Sequence, residues 1–230
     1  MIHNHLQHKV IQVSEEDITI KNMGLDKGSL EQAIKDGLIQ YKRSSPLHPL
    51  THAGSTAWGE IVYVVRAKLL SLGNGWSFYQ KDGLSITHNK GTGIAIIVTS
   101  GDKDTGLSGG SPSTKNKKGP STRNIVNNNQ PSLFEPIHSE NLADAESPLD
   151  STETWVLLYC IDKIAKEIRF ELSLPSSTAR ISGKENKLKI DSWKTRLIFE
   201  PVPFDIEPNK ITSEKAVFTD EVSFKVSKKV

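Results

Sequence analysis

The chain has 230 residues, 36% of them hydrophobic, enough to bury one good core or two small ones without a disulfide or metal staple. Its 29 Lys and Arg nearly balance 27 Asp and Glu, and the net charge of +2 excludes wholesale attraction to nucleic acid or an anionic membrane, so any polyanion contact must be local. A single cysteine, Cys160, excludes an internal disulfide. With no stretch apolar enough for a signal peptide or a bilayer span, it points to a cytoplasmic protein without membrane association.

In chain order, short extended stretches at 10–13 and 18–21 lead to Ser29-Leu-Glu-Gln32, which has the form of a capping box and predicts a short helix over 30–40. Pro46 and Pro49 mark a connector over 44–54. The spacing of Trp58, Ile61, Val62, Val65, Leu69 and Leu72 then predicts a long helix over 56–72, ended by Gly73. Three strands over 76–80, 84–88 and 94–99, joined through Gly83 and Gly93, read as an antiparallel meander.

Between 101 and 153 the composition turns to Ser, Gly, Asn, Pro and Lys, which predicts a mobile polar segment with too little apolar surface to offset its ordering entropy. Order resumes with the apolar run 155–161, a strand for the middle of a sheet in which Cys160 sits as a buried thiol. A hairpin partner follows, where Ile168, Phe170, Leu172 and Leu174 alternate with Arg169, Glu171 and Ser173. Further strand signals lie at 188–190, 196–200, 217–219 and 222–226. The fold class is α+β: antiparallel β-rich sheet with one long and one short helix, interrupted by a long flexible insertion. The divisions are 1–100, a linker over 101–153, and a β-rich part over 154–230 that can share one core with the first.

Asp102 and Asp104 follow a strand end, where loops carry chemistry on a rigid base, and with Glu60 or Glu171 they are candidates for a metal-dependent hydrolase using Mg²⁺. Asp104-Thr-Gly106 resembles the aspartic-protease signature, but the apolar residues that family places before the aspartate are replaced by Gly101-Asp-Lys103. Glu60, Asp102 and Glu171 resemble, in order only, the carboxylates of metal-dependent nucleases, whose usual lysine two residues after the last acid is Ser173 here. The P-loop comparison fails, because Gly106 is followed by Leu107-Ser108.

Lys115, Lys117, Lys118 and Arg123 form a basic tract able to contact phosphates. Gln130-Pro-Ser-Leu-Phe134 resembles the short peptide by which bacterial replication and repair proteins dock on the sliding clamp. That resemblance implies recognition through Gln130, Leu133 and Phe134, with Pro131 where leucine is more usual. His3, His5 and His8, and the pair His48 and His52, are candidate metal ligands, although Pro49 works against a regular helix between the latter. Three functions follow: an accessory of DNA metabolism, in a mobile-element or phage-defence setting, that contacts a protein partner and nucleic acid; a metal-dependent hydrolase; or a structural or inhibitor module acting through an exposed β edge.

Overall fold

A computed structural model describes residues 9–10, 19–129, 152–181 and 187–205. It is a mixed α/β fold built on one mostly antiparallel sheet. Along the chain run β1 (Lys9–Val10), α1 (Lys27–Lys42), α2 (His52–Ser71), β2 (Trp76–Lys81), β3 (Leu84–Asn89) and β4 (Ile94–Ser100). They are followed by α3 (Pro120–Asn128), β5 (Glu153–Asp162), β6 (Glu167–Arg180), β7 (Leu188–Ile198) and β8 (Val202–Pro203). The strand order is β1-β7-β6-β5-β4-β3-β2, with β8 pairing β6 off this path.

Both β-rich blocks belong to this one sheet, because β4 and β5 pair in parallel, Ile97 opposite Val156 and Ser100 opposite Tyr159. The meander β2–β3–β4 and the hairpin β5–β6 are antiparallel, as the sequence patterns predict. A parallel pair needs a long crossover, and the polar segment after Gly101 supplies it.

Helix α1 begins three residues before its predicted start. Its cap is Asp26, whose carboxylate accepts from the Ser29 amide and hydroxyl, both at 2.8 Å. Gln32 turns forward to Asp36 at 2.9 Å instead of back to a cap. Helix α2 likewise starts at His52, inside the predicted connector. The two helices cross where Gly37 has no side chain: a Cβ there would lie 2.4 Å from Ile61 Cγ1. Together they bury Leu30, Ile34, Leu38, Ile61, Val65 and Leu69 against one sheet face, on Ile96, Leu157, Phe170 and Leu172. Burial of this kind stabilises by about 25 cal/mol per Å² of apolar surface.

The opposite face corrects the sequence reading. Residues 101–129 are not a loose linker but a packed layer on the sheet, with Ile125 and Val126 of α3 in a second core beside Ile97, Leu158, Ile190 and Trp193. Main-chain bonds replace much of the missing apolar burial. Thr114 N donates to Ile190 O at 2.9 Å, Lys118 N to Leu188 O at 2.8 Å, and Trp193 Nε1 to Pro112 O at 2.7 Å. The rest of the predicted insertion, 130–151, lies outside the described residues, as do the strand signals at 217–226.

Glycine lets this layer approach closely. Gly106 has φ +73°, and a Cβ there would meet Arg169 Cβ at 2.7 Å and Phe170 N at 3.2 Å. Gly106→Ala is therefore expected to lower stability by about 1–3 kcal/mol, from strain plus displacement. Thermal unfolding measures this, and an unchanged midpoint would mean the layer is not pressed onto β6.

Candidate functional site

At the carboxyl ends of the parallel strands β4 and β5 the sheet opens into a cavity of about 610 Å³. Its volume is within the range of small-molecule sites, and strand ends at a parallel pair are where α/β sheets hold ligands. Thr99 and Ser100 of β4, Gly101 just after it, and Tyr159, Cys160 and Ile161 of β5 form the floor. The first turn of α2 is one wall, and Lys115, Asn116, Lys118 and Thr122 form another. Tyr41, Lys163 and the start of β3 close the remainder.

The lining charges are basic. Lys115, Lys118 and Lys163 line the cavity, and among the described residues no aspartate or glutamate lines it, although Asp162 and Asp102 act electrostatically on Cys160 at its floor. The α2 terminus adds to this field. Thr51 makes no side-chain cap bond, and the first turn contains no acid. The first α-helical bond is Ser55 N to Thr51 O at 3.0 Å, so the amides of Ala53 and Gly54 have no acceptor within the helix. Such an end attracts anions.

Each lysine is held differently. Lys115 is exposed, with its backbone N–H anchored on Ser100 O at 2.9 Å. Lys163 Nζ lies 5.7 Å from the Tyr41 ring centre. Lys118 is half-buried and donates through Nζ to Thr99 Oγ1. Burial lowers its ammonium to a pKa of about 8. Trp58 contributes an aromatic wall, fixed by its Nε1–H to Val98 O at 3.0 Å. Cys160, expected to be buried, is half-buried on the cavity floor, and burial raises its thiol pKa. Burial also raises the Tyr159 phenol.

The candidate carboxylates do not converge. Glu60 is on α2, over the helical face of the sheet, where burial and then Asp36 raise its pKa. Glu171 points to the other face, accepting from Gly106 N at 2.8 Å, Ser173 Oγ at 2.8 Å and Arg196 Nε at 3.0 Å. Asp102 closes its own loop, accepting from Asp104 N at 3.1 Å and from Ser113 N and Oγ at 2.9 and 2.7 Å. Among the described residues no three His, Cys, Asp or Glu gather closely enough to hold a metal ion.

Nor do Arg169 and Glu171 belong to a solvated strand face. Arg169 bridges Asp162 and Glu167 at 3.0 and 3.1 Å and donates to the carbonyls of Lys103 and Thr105. His48 and His52 stack at 4.1 Å, with their Nδ1 atoms engaged by Ser45 and Ser44. His3, His5, His8, Gln130, Leu133 and Phe134 lie outside the described residues.

Of the basic tract, Lys115 and Lys118 enter the cavity, Lys117 is exposed beside it, and Arg123 is half-buried on α3. Sequence reasoning missed Lys163, Tyr41 and the α2 terminus. The one available signal was the absence of a capping Asp, Asn or Ser-x-x-Glu pattern before a long helix. Comparison with protein-family models, with curated proteins and with solved structures gave no match. Among the described residues no helix is long and apolar enough to cross a membrane.

Proposed function

We propose that the protein binds a phosphate-bearing ligand in this cleft, a nucleotide or the end of a nucleic-acid strand, as an accessory of cytoplasmic DNA metabolism. One observation carries the reading: three lysines and an acid-free helix terminus share a cavity that, among the described residues, no carboxylate lines. A phosphate there replaces water on these donors and faces no lining carboxylate among the described residues. Lys117 and Arg123 adjoin the lining residues Asn116, Lys118 and Thr122 in the chain and add basic side chains for a strand backbone. A protein partner engaging Gln130, Leu133 and Phe134 is a separate part of the proposal and draws no support from the cleft.

Calorimetric titration tests it with dATP, a 5′-phosphorylated single-stranded oligonucleotide, the same strand without its phosphate, and inorganic phosphate. Phosphorylated ligands are expected to bind more tightly, with affinity falling as salt rises. Lys115→Ala and Lys163→Ala should each weaken binding about tenfold, the effect of one charge-assisted hydrogen bond. Equal binding with and without the phosphate, or indifference to both substitutions, would remove the reading.

A further inference from the structure

The three lysines of the cleft differ in what surrounds the amine. Lys115 is exposed and Lys163 lies against an aromatic face, so both suit holding a charge. Lys118 has a hydroxyl as its partner, Thr99 Oγ1, and Thr99 is itself only 4% exposed. No ion pair joins Lys118 to a carboxylate among the described residues. That choice of partner has chemical content. A carboxylate would lock the ammonium form, whereas a hydroxyl accepts from an ammonium and donates to a neutral amine equally well. Burial, with a pKa of about 8, leaves roughly a tenth of the amine neutral at pH 7, against well under a hundredth for an ordinary lysine.

We propose that Lys118 is a nucleophile that condenses with a phosphate-bearing aldehyde held in the cleft, its phosphate on the first turn of α2 and on Lys115 and Lys163; this rests on the anion-binding reading above. The neutral Nζ lone pair attacks the carbonyl carbon, a C–N bond forms, and the carbonyl oxygen takes a proton to give a carbinolamine. That hydroxyl then leaves as water with a proton from nitrogen, and C=N forms. Amine plus aldehyde gives imine plus water, with nothing oxidised or reduced. Two sources share this chemistry: a free phosphorylated aldehyde, and the ring-opened sugar of an abasic nucleotide in a strand.

The test has two arms on the full chain. One uses pyridoxal 5′-phosphate and the other a 5′-phosphorylated single-stranded oligonucleotide with one abasic site, each below one equivalent and trapped with cyanoborohydride. Peptide mass spectrometry is expected to find the adduct on Lys118 at least about tenfold over any other lysine, reflecting its larger neutral fraction. The trapping rate should level off above about pH 8, where surface lysines are still gaining neutral amine. Lys118→Arg, which keeps the charge, should abolish the adduct, and Lys115→Ala should slow it without moving it. The arm that traps identifies the source.

Labelling spread evenly over exposed lysines, or an adduct that survives Lys118→Arg, overturns the inference. Failure of both arms while dATP still binds and depends on Lys115 overturns it alone. Failure of dATP binding as well overturns the cleft reading with it.

Discussion

Replacing Glu171 with alanine is expected to lower the free energy of unfolding by about 3–5 kcal/mol, the usual cost of leaving a buried partner charge uncompensated. Both side chains of the Glu171–Arg196 pair are fully buried, at 0% exposure. The carboxylate meets the guanidinium through two donors, Nε and Nη2, and also accepts from Gly106 N and Ser173 Oγ. Arg196 in turn donates to the carbonyls of Gly110 and Leu107 at 2.8 and 3.1 Å. The pair therefore joins β6, β7 and the 101–114 layer, and its loss takes a large part of a typical domain stability of about 5–15 kcal/mol.

Urea unfolding measures the effect. Glu171→Leu combined with Arg196→Met should recover only part of the loss, because two apolar groups remove the charge problem but leave two loop carbonyls without their donor. Limited proteolysis should cut the Glu171→Ala protein first between 106 and 112. A cost below about 1 kcal/mol would show that water reaches the pair in solution.

This same pair marks the limit of what the sequence discloses. The alternation from Ile168 to Leu174 puts Phe170 and Leu172 on a buried face, and the structure covers that face with the helices. It also puts Arg169, Glu171 and Ser173 together on the other face, but a period of two cannot say whether that face meets water. It does not: Glu171 and Ser173 are 0% exposed. The covering layer is Gly-, Ser- and Asp-rich, and composition alone marks such a segment as loose. Its order comes from non-local bonds, such as Arg196 to Gly110 O across 86 positions, which no local window contains.

Non-local pairing hides the cleft for the same reason. Ser100 and Tyr159 become neighbours only through the parallel register of β4 and β5. Lys163, in the β5–β6 turn, reads locally as an exposed turn residue, and its place beside Tyr41 depends on α1 packing over that end of the sheet. Lys115 and Lys118 were visible as a basic tract, but the difference between them was not. Both backbones are anchored, Lys115 on Ser100 and Lys118 on Leu188, and the difference lies in the side chains: Lys118 reaches Thr99 Oγ1 while Lys115 is exposed.

Replacing Lys118 with methionine is expected to stabilise the protein at pH 7 by about 1–3 kcal/mol while ending aldehyde capture, because a half-buried ammonium with a hydroxyl partner and no carboxylate is a net cost to folding. The sign follows from proton counting. The folded-state pKa of about 8 is below the ordinary 10.5, so at pH 7 the amine is mainly protonated in both states and the folded chain carries the penalty. Between pH 8 and 10.5 the unfolded chain binds more protons, and this group's contribution to stability rises through that window.

Tyr159 and Cys160 act oppositely. Burial raises both pKa values, so the unfolded chain releases those protons first and stability falls as the pH passes their ordinary values of 10.0 and 9.0. The methionine variant keeps both groups, so the difference in unfolding free energy between the two proteins isolates Lys118. That difference should be largest below pH 8 and shrink toward zero by about pH 10.5. A variant no more stable than the parent at pH 7, or a gap that stays constant across the window, would mean that water solvates the Lys118 amine and that no reactive lysine sits at the strand ends. A stabilised variant that no longer captures aldehyde would instead identify this residue as one whose cost to folding is retained for the chemistry of its amine.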